Sequence, residues 1–355
     1  MREAAQALLA RKAGCLYRNV LSSRTHFLFK HELLRARTKP PQVVAVGSSR
    51  MLLFHRRMFS RSFLNMGRAA NRLREALHTL KRLGELDPPP RVIMLGVDFW
   101  WFHPRRARHP GQTLSPLDIS PDNYADVMRM LRKGLERPAY LLHAWRRESC
   151  SLGVDAILYE RGFDKWGFMY MGALPAAAGR RGFADVLARI RDGRDKFERA
   201  DVPDSEMLEA LVDTLKALRR RGILVLAFLP PLPGEVMSAM EGRGYGYVEK
   251  VRAAFHDGDV PFIDYHAPGR RGAFDACQFV DGIHQGDTVN ARILLDFLEL
   301  VPELSAYLNR PFLEWLAGFR QQALVMNSLR LKQPEADFLG LGCRKVPVVP
   351  KTGPR

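Results

Sequence analysis

Four short apolar runs constrain this chain more than any other feature. They are "QVVAVG" at 42–47, "RVIMLGV" at 91–97, "ILVLAFL" at 223–229 and "VPFIDY" at 260–265, and glycine, aspartate or proline closes the first three. The runs are largely unbroken by polar side chains, so each predicts a strand buried on both faces. Amphipathic helices are predicted between them. Leu73, Ala76, Leu77, Leu80 and Leu83 recur at spacings of three and four until Asp87-Pro88-Pro89-Pro90 stops the pattern. Met207, Leu208, Leu211, Val212, Leu215 and Leu218 make a second stripe within 206–221, and further helices are predicted at 245–256 and 288–300. Such alternation predicts a three-layer α/β/α fold around a parallel, doubly wound (flavodoxin-like) sheet of about five strands, with these four adjacent.

The remaining chain divides around that core. Residues 1–40 read as an N-terminal helical extension, and 41–302 as the α/β domain with an insertion at about 104–205. Within the insertion, helical patterns near 122–146 and 183–198 flank an aromatic-rich loop at 159–172. Residues 303–355 read as one or two helices around Phe312, Leu313, Trp315, Leu316 and Phe319, then a basic, disordered tail.

Composition narrows the partners. With 55 basic against 38 acidic residues the net charge is +17, a field that favours anionic partners, including an anionic membrane surface. The arginines are spread along the whole chain, and no zinc-finger spacing, helix-turn-helix or basic-aromatic platform accompanies them. No specific nucleic-acid partner is expected. Cys15, Cys150, Cys277 and Cys343 lie far apart with no C-x-x-C pair, which excludes a zinc ribbon and offers no disulfide framework. No metal or nucleotide motif is present, so no cofactor is expected. The N-terminus carries Arg11, Lys12 and Arg18 where a signal sequence would need an apolar stretch, and no apolar run reaches 18 residues.

In a doubly wound sheet ligands bind beyond the carboxyl ends of the strands. Gly47-Ser48-Ser49, Gly96-Val97-Asp98, Pro230-Pro231 and the loop Asp281-Gly282-Ile283-His284 should therefore meet at one edge. Asp281 and His284, three apart in a glycine-containing loop, can pair carboxylate with imidazole Nδ1–H and leave Nε2 to take a serine proton. No serine lies next to this loop, so the nucleophile must come from elsewhere; the Gly47-Ser48-Ser49 turn offers two serines, with Arg50 leaving along the following helix or loop. Trp100, Trp101 and Phe102 read as packing or as a sugar-stacking platform; His103, His109 and His266 are assigned no role.

The blocks "VVAVGSSRM", "FLNMGRAANR", "RVIMLGVDFWWF" and "FVDGIHQGD" resemble the SGNH (GDSL-type) hydrolases, and more closely their envelope-associated D-alanine-transfer and alginate-acetylation branch. The resemblance covers about 40–100 and 206–300. It implies Ser49 as nucleophile, His284 as general base and Asp281 as its orienting acid, with the backbone N–H groups of Ser49 and Gly67 in an oxyanion hole. It also implies a serine esterase or O-acyltransferase acting on an acylated carbohydrate or envelope polymer at the cell envelope. The family's third block is Gly-x-Asn-Asp, whose asparagine amide donates to the oxyanion. Here Asp98 stands in that place, and an ionised carboxylate cannot donate. Either Asn65 substitutes or Asp98 is structural; the alternative for the whole chain, consistent with the Asp98 departure, is a non-catalytic SGNH-fold binding or assembly protein of envelope polysaccharide modification.

Overall fold

The computed structural model describes residues 1–18, 23–109, 132, 150–174, 182–258, 260–270 and 272–350. The chain forms two compact units, Met1–Lys39 with Gln112–Leu174, and Pro40–Gly111 with Pro175–Arg355.

The second unit holds the sheet. Its strands are β1 (Val43–Gly47), β2 (Phe63–Gly67), β3 (Val92–Gly96), β4 (Leu224–Leu229) and β5 (Phe262–Asp264), all parallel in the order β2-β1-β3-β4-β5. That is the flavodoxin-like doubly wound order, 2-1-3-4-5. All five residues of β1, β2 and β3 are buried, and each fully buried Val, Leu or Met side chain contributes roughly 1.5–3 kcal/mol. The four runs read from the sequence are adjacent, as expected. The fifth strand, β2, was not among them: Phe63-Leu64-Asn65-Met66-Gly67 sits at the sheet edge, where buried Asn65 interrupts the apolar pattern. Its link to β1 is two 3₁₀ turns, not a helix, so no strand–helix–strand rhythm announces it.

Helices flank the sheet in three layers. The first group is α1 (Leu73–Gly84), α2 (Ser205–Arg220) and α3 (Gly246–Asp257), which pack side by side. Helix α4 (Asp287–Leu300) packs against Arg310–Ala317 and Val325–Leu331. The Asp204 carboxylate caps α2 by accepting from the Met207 N–H at 3.2 Å, and Leu211 and Leu215 on its inner face are fully buried. No helix among the described residues is long and apolar enough to cross a membrane.

The first unit contains helices Arg2–Leu9 and Ser23–Arg35 and a two-stranded antiparallel hairpin, Arg161–Phe163 with Met169–Met171. The hairpin corrects the reading of 159–172 as a loop. The Asp164 carboxylate accepts the N–H groups of Trp166 and Phe168, each at 2.9 Å, and so supplies a turn that the aromatic composition hides. The helical pattern near 122–146 lies outside the described residues, Arg132 apart; that at 183–198 forms Ala184–Asp192.

Two further expectations are corrected. The cysteines do form a disulfide framework, Cys15–Cys150 within the first unit and Cys277–Cys343 within the second. Their separations of 135 and 66 residues carry no local spacing signature. The tail, expected to be disordered, is tied to the fold among its described residues, because Cys343 is bonded to Cys277 and Lys345 pairs with buried Glu335 at 2.9 Å. Closing a loop of that length stabilises a fold by about 2–4 kcal/mol. Cys343→Ser should lower the unfolding free energy by that amount in denaturant titration. Reductant, which also opens Cys15–Cys150, should abolish the difference between wild type and variant, since neither then holds the Cys277–Cys343 bond.

Candidate active site

Gly47 ends β1 with φ +154°, and a Cβ there would stand 2.5 Å from the Met51 side chain; one on Gly96 would stand 2.4 Å from its sulfur. The two glycines make room for Met51 to fold back over the strand ends. The chain can then turn at once into the 3₁₀ segment Ser49–Met51. This tight turn leaves Ser48 and Arg50 buried and Ser49 half-exposed, with the Ser48 hydroxyl accepting the Arg50 N–H at 3.3 Å.

Ser49 Oγ lies 2.7 Å from His284 Nε2, 235 residues away in sequence. On the other side of the ring, His284 Nδ1 is 2.8 Å from Asp281 Oδ2 and 3.0 Å from Oδ1. Asp281 Oδ1 also accepts the N–H groups of Ile283 and His284, each at 2.8 Å. Burial works against the Asp281 carboxylate, but His284 and these amides outweigh it and hold it well below the usual carboxylate range. Ionised Asp281 fixes the proton on Nδ1, so the Ser49 hydroxyl donates to Nε2. Gln285 anchors the loop by donating to the Arg50 carbonyl at 3.0 Å.

The structure does not bring the expected oxyanion donors together. The Gly67 N–H donates to Asn65 Oδ1 at 2.7 Å, inside the fold. The Asn65 amide donates to the carbonyls of Met51 (2.7 Å) and Phe54 (3.0 Å), and the residue is fully buried. Asn65 therefore clasps the loop after β1 and is not a substitute donor. Asp98 is 1% exposed and faces the Arg50 guanidinium at 3.5 Å. Burial pushes its carboxyl up, against the pull of Arg50, the Ser48 hydroxyl, Lys196 and His284. No acceptor among the described residues is bonded to the Ser49 N–H, so that donor of the expected set is unengaged.

Arg50 departs furthest from its expectation. It turns inward, 1% exposed, and donates to the carbonyls of Pro230 and Pro231, each at 2.6 Å. Burial brings it down to about 10, so it remains charged at neutral pH. Trp100, Trp101 and Phe102 are all buried core residues. His266, assigned no role from sequence, is buried with Nε2 2.9 Å from the Pro230 carbonyl. The charged neighbour of the site that sequence reasoning missed is Lys196, whose ammonium lies 4.6 Å from the Trp100 ring centre and within electrostatic reach of Asp98 and Asp281. Only its contact with a tryptophan 96 positions away, invisible to any local pattern, marks it. Among the described residues, no group of three or more His, Cys, Asp or Glu could hold a metal ion.

Burial holds two histidines neutral: His55 falls to about 3, with Arg57 and Arg56 adding to the effect, and His266 to about 4. Below pH 6.5 the unfolded chain binds protons that these folded imidazoles refuse. Stability should therefore fall with pH from about 6.5 towards 4, by roughly 1.4 kcal/mol per pH unit for each. His266→Gln should flatten that slope in unfolding titrations at pH 7 and pH 5; an unchanged slope would contradict it.

No family model, curated protein or solved structure matches the chain.

Proposed function

We propose that this chain is a serine esterase or O-acyltransferase of the SGNH type, acting on an acyl ester of a carbohydrate or cell-envelope polymer. The observation that carries the proposal is the hydrogen-bonded line from Ser49 through His284 to Asp281, 2.7 and 2.8 Å long, at the carboxyl edge of a doubly wound sheet. Ser49 Oγ attacks the ester carbonyl carbon as its proton passes to Nε2, and Asp281 stabilises the imidazolium that results. The tetrahedral intermediate collapses to an acyl-serine, and His284 returns the proton to the departing alcohol. Water or a sugar hydroxyl then repeats the sequence in reverse, which gives hydrolysis or transfer.

The carbohydrate or envelope substrate comes from the resemblance of the four sequence blocks. The two disulfides support the same location, since such bonds persist in oxidising compartments. A second reading, a non-catalytic binding or assembly protein, is favoured by the engagement of Gly67 and Asn65 within the fold. A fluorophosphonate probe separates the two. The enzyme reading expects stoichiometric labelling of Ser49, lost in Ser49→Ala; an unlabelled wild type would favour the binding protein.

A further inference from the structure

Acyl transfer at Ser49 concentrates negative charge on the carbonyl oxygen, and sites of this kind meet that charge with preorganised donors. Here the Ser49 N–H is one such donor. Gly67 N–H is bonded to Asn65, the Asn65 amide to two carbonyls, and Asp98 faces Arg50. A second source of positive potential has to come from elsewhere in the cleft.

Lys196 has the required properties. It follows the helix Ala184–Asp192 in a turn where both Asp195 (φ +49°) and Lys196 (φ +83°) adopt left-handed backbone. Side chains disfavour that region, and consecutive non-glycine residues occupy it only where surrounding structure enforces it. The turn is held by fully buried Phe197 against Phe99, and by the Lys196 N–H donating to Glu198 Oε2 at 3.1 Å. The half-buried lysine side chain lies along Trp100, which also lies 5.6 Å from the Arg50 guanidinium. Asp98, Arg50, Arg68 and Asp281 are all within electrostatic reach of the ammonium. Yet no oxygen among the described residues is within hydrogen-bond or ion-pair distance of Nζ. The cations around it are otherwise placed: Arg50 is spent on Asp98 and two carbonyls, and Arg68 sits in the turn after β2, its N–H donating to the Ser48 carbonyl. An ammonium half removed from water, resting on an aromatic face and with no oxygen of the described residues in direct contact, is complementary to charge that appears only during reaction.

Resting on the serine acyl-enzyme reading, we propose that Lys196 is a catalytic residue, its ammonium stabilising the oxyanion in place of the amide that Asp98 cannot supply. As Ser49 Oγ bonds to the carbonyl carbon, the carbonyl π pair moves onto oxygen, which Lys196 and the Ser49 N–H then face. When the pair returns and the alcohol leaves, the ammonium is released unchanged.

The test uses the full chain and a neutral ester, p-nitrophenyl acetate. Lys196→Met should lower kcat about 10²–10³-fold at nearly constant KM. It should slow fluorophosphonate labelling of Ser49 without abolishing it, and Lys196→Arg should recover part of the loss. All native cysteines are in disulfides. The Lys196→Cys variant can therefore be treated with 2-bromoethylamine to restore a side-chain ammonium at that position alone, and kcat should return. A kcat within threefold of wild type in Lys196→Met would overturn the proposal. So would the absence of rescue in a Lys196→Cys variant that melts like wild type. A rise in KM confined to anionic 4-acetoxybenzoate, with p-nitrophenyl acetate unaffected, would assign the ammonium to the substrate's own charge and also overturn it. Failure of wild type to be labelled at Ser49 would remove the acyl-enzyme reading itself, a result separable from every outcome above.

Discussion

Ser49→Ala and His284→Ala should each abolish ester turnover, with losses on the order of 10⁵–10⁶ in kcat, and the double variant should be hardly worse than either. The reason is geometric. Ser49 Oγ, at 2.7 Å from Nε2, can lose its proton only to His284, and His284 presents that nitrogen only while Asp281 holds Nδ1 at 2.8 Å. Each group is useless without the next, so the second substitution has little left to remove. Ser48 provides the internal control. It is buried, and its hydroxyl accepts the Arg50 N–H, so Ser48→Ala should cost about 1 kcal/mol as a lost cap and still yield a protein labelled at Ser49. Steady-state kinetics with p-nitrophenyl acetate and mass mapping of the labelled peptide read both effects. A fluorophosphonate adduct on Ser48, or turnover by Ser49→Ala within tenfold of wild type, would end the proposed assignment.

What could be read from the sequence, and what could not, follows from the range of the interactions involved. The four buried strands were legible because burial on both faces leaves an uninterrupted apolar run, and α1 and α2 because their stripes repeat every three to four residues. The meeting of the Ser48-Ser49 turn with the His284 loop was legible through topology, since parallel strands place their carboxyl ends together whatever the distance in sequence, and the block resemblance singled out Ser49. Strand β2 was not, because Asn65 spends its amide on Met51 and Phe54 in the middle of the apolar segment. The same clasp takes the Gly67 N–H out of the cleft, so a role carried over by block resemblance met a local hydrogen bond the block does not encode. The disulfides and Lys196 were hidden for one common reason. Their partners lie 66 to 135 residues away, and nothing in the local pattern at either end depends on the other.

Arg50 carries the second large effect. Its guanidinium ties the turn after β1 to the end of β3 through Asp98 and to the segment after β4 through the Pro230 and Pro231 carbonyls. Its own carbonyl accepts from Gln285, next to His284, so one residue joins the serine turn to the histidine loop. Arg50→Met removes the cation and leaves Asp98 as an uncompensated charge that is 1% exposed. Breaking a buried pair from one side costs about 3–5 kcal/mol, whereas replacing both partners with apolar groups is often nearly neutral. The Arg50→Met/Asp98→Leu double variant should therefore recover most of the stability lost by Arg50→Met, a coupling visible as a double-mutant cycle in denaturant titrations. Activity should not return with it. The turn bearing Ser49 would no longer be tied to the Pro230–Pro231 carbonyls, and a displacement of about 1 Å at a reacting atom can cost on the order of 10² in rate. Stable but slow is thus the expected phenotype of the double variant. If Arg50→Met costs less than about 1 kcal/mol, or if the double variant regains kcat along with stability, Arg50 is packing and not the link between nucleophile and base.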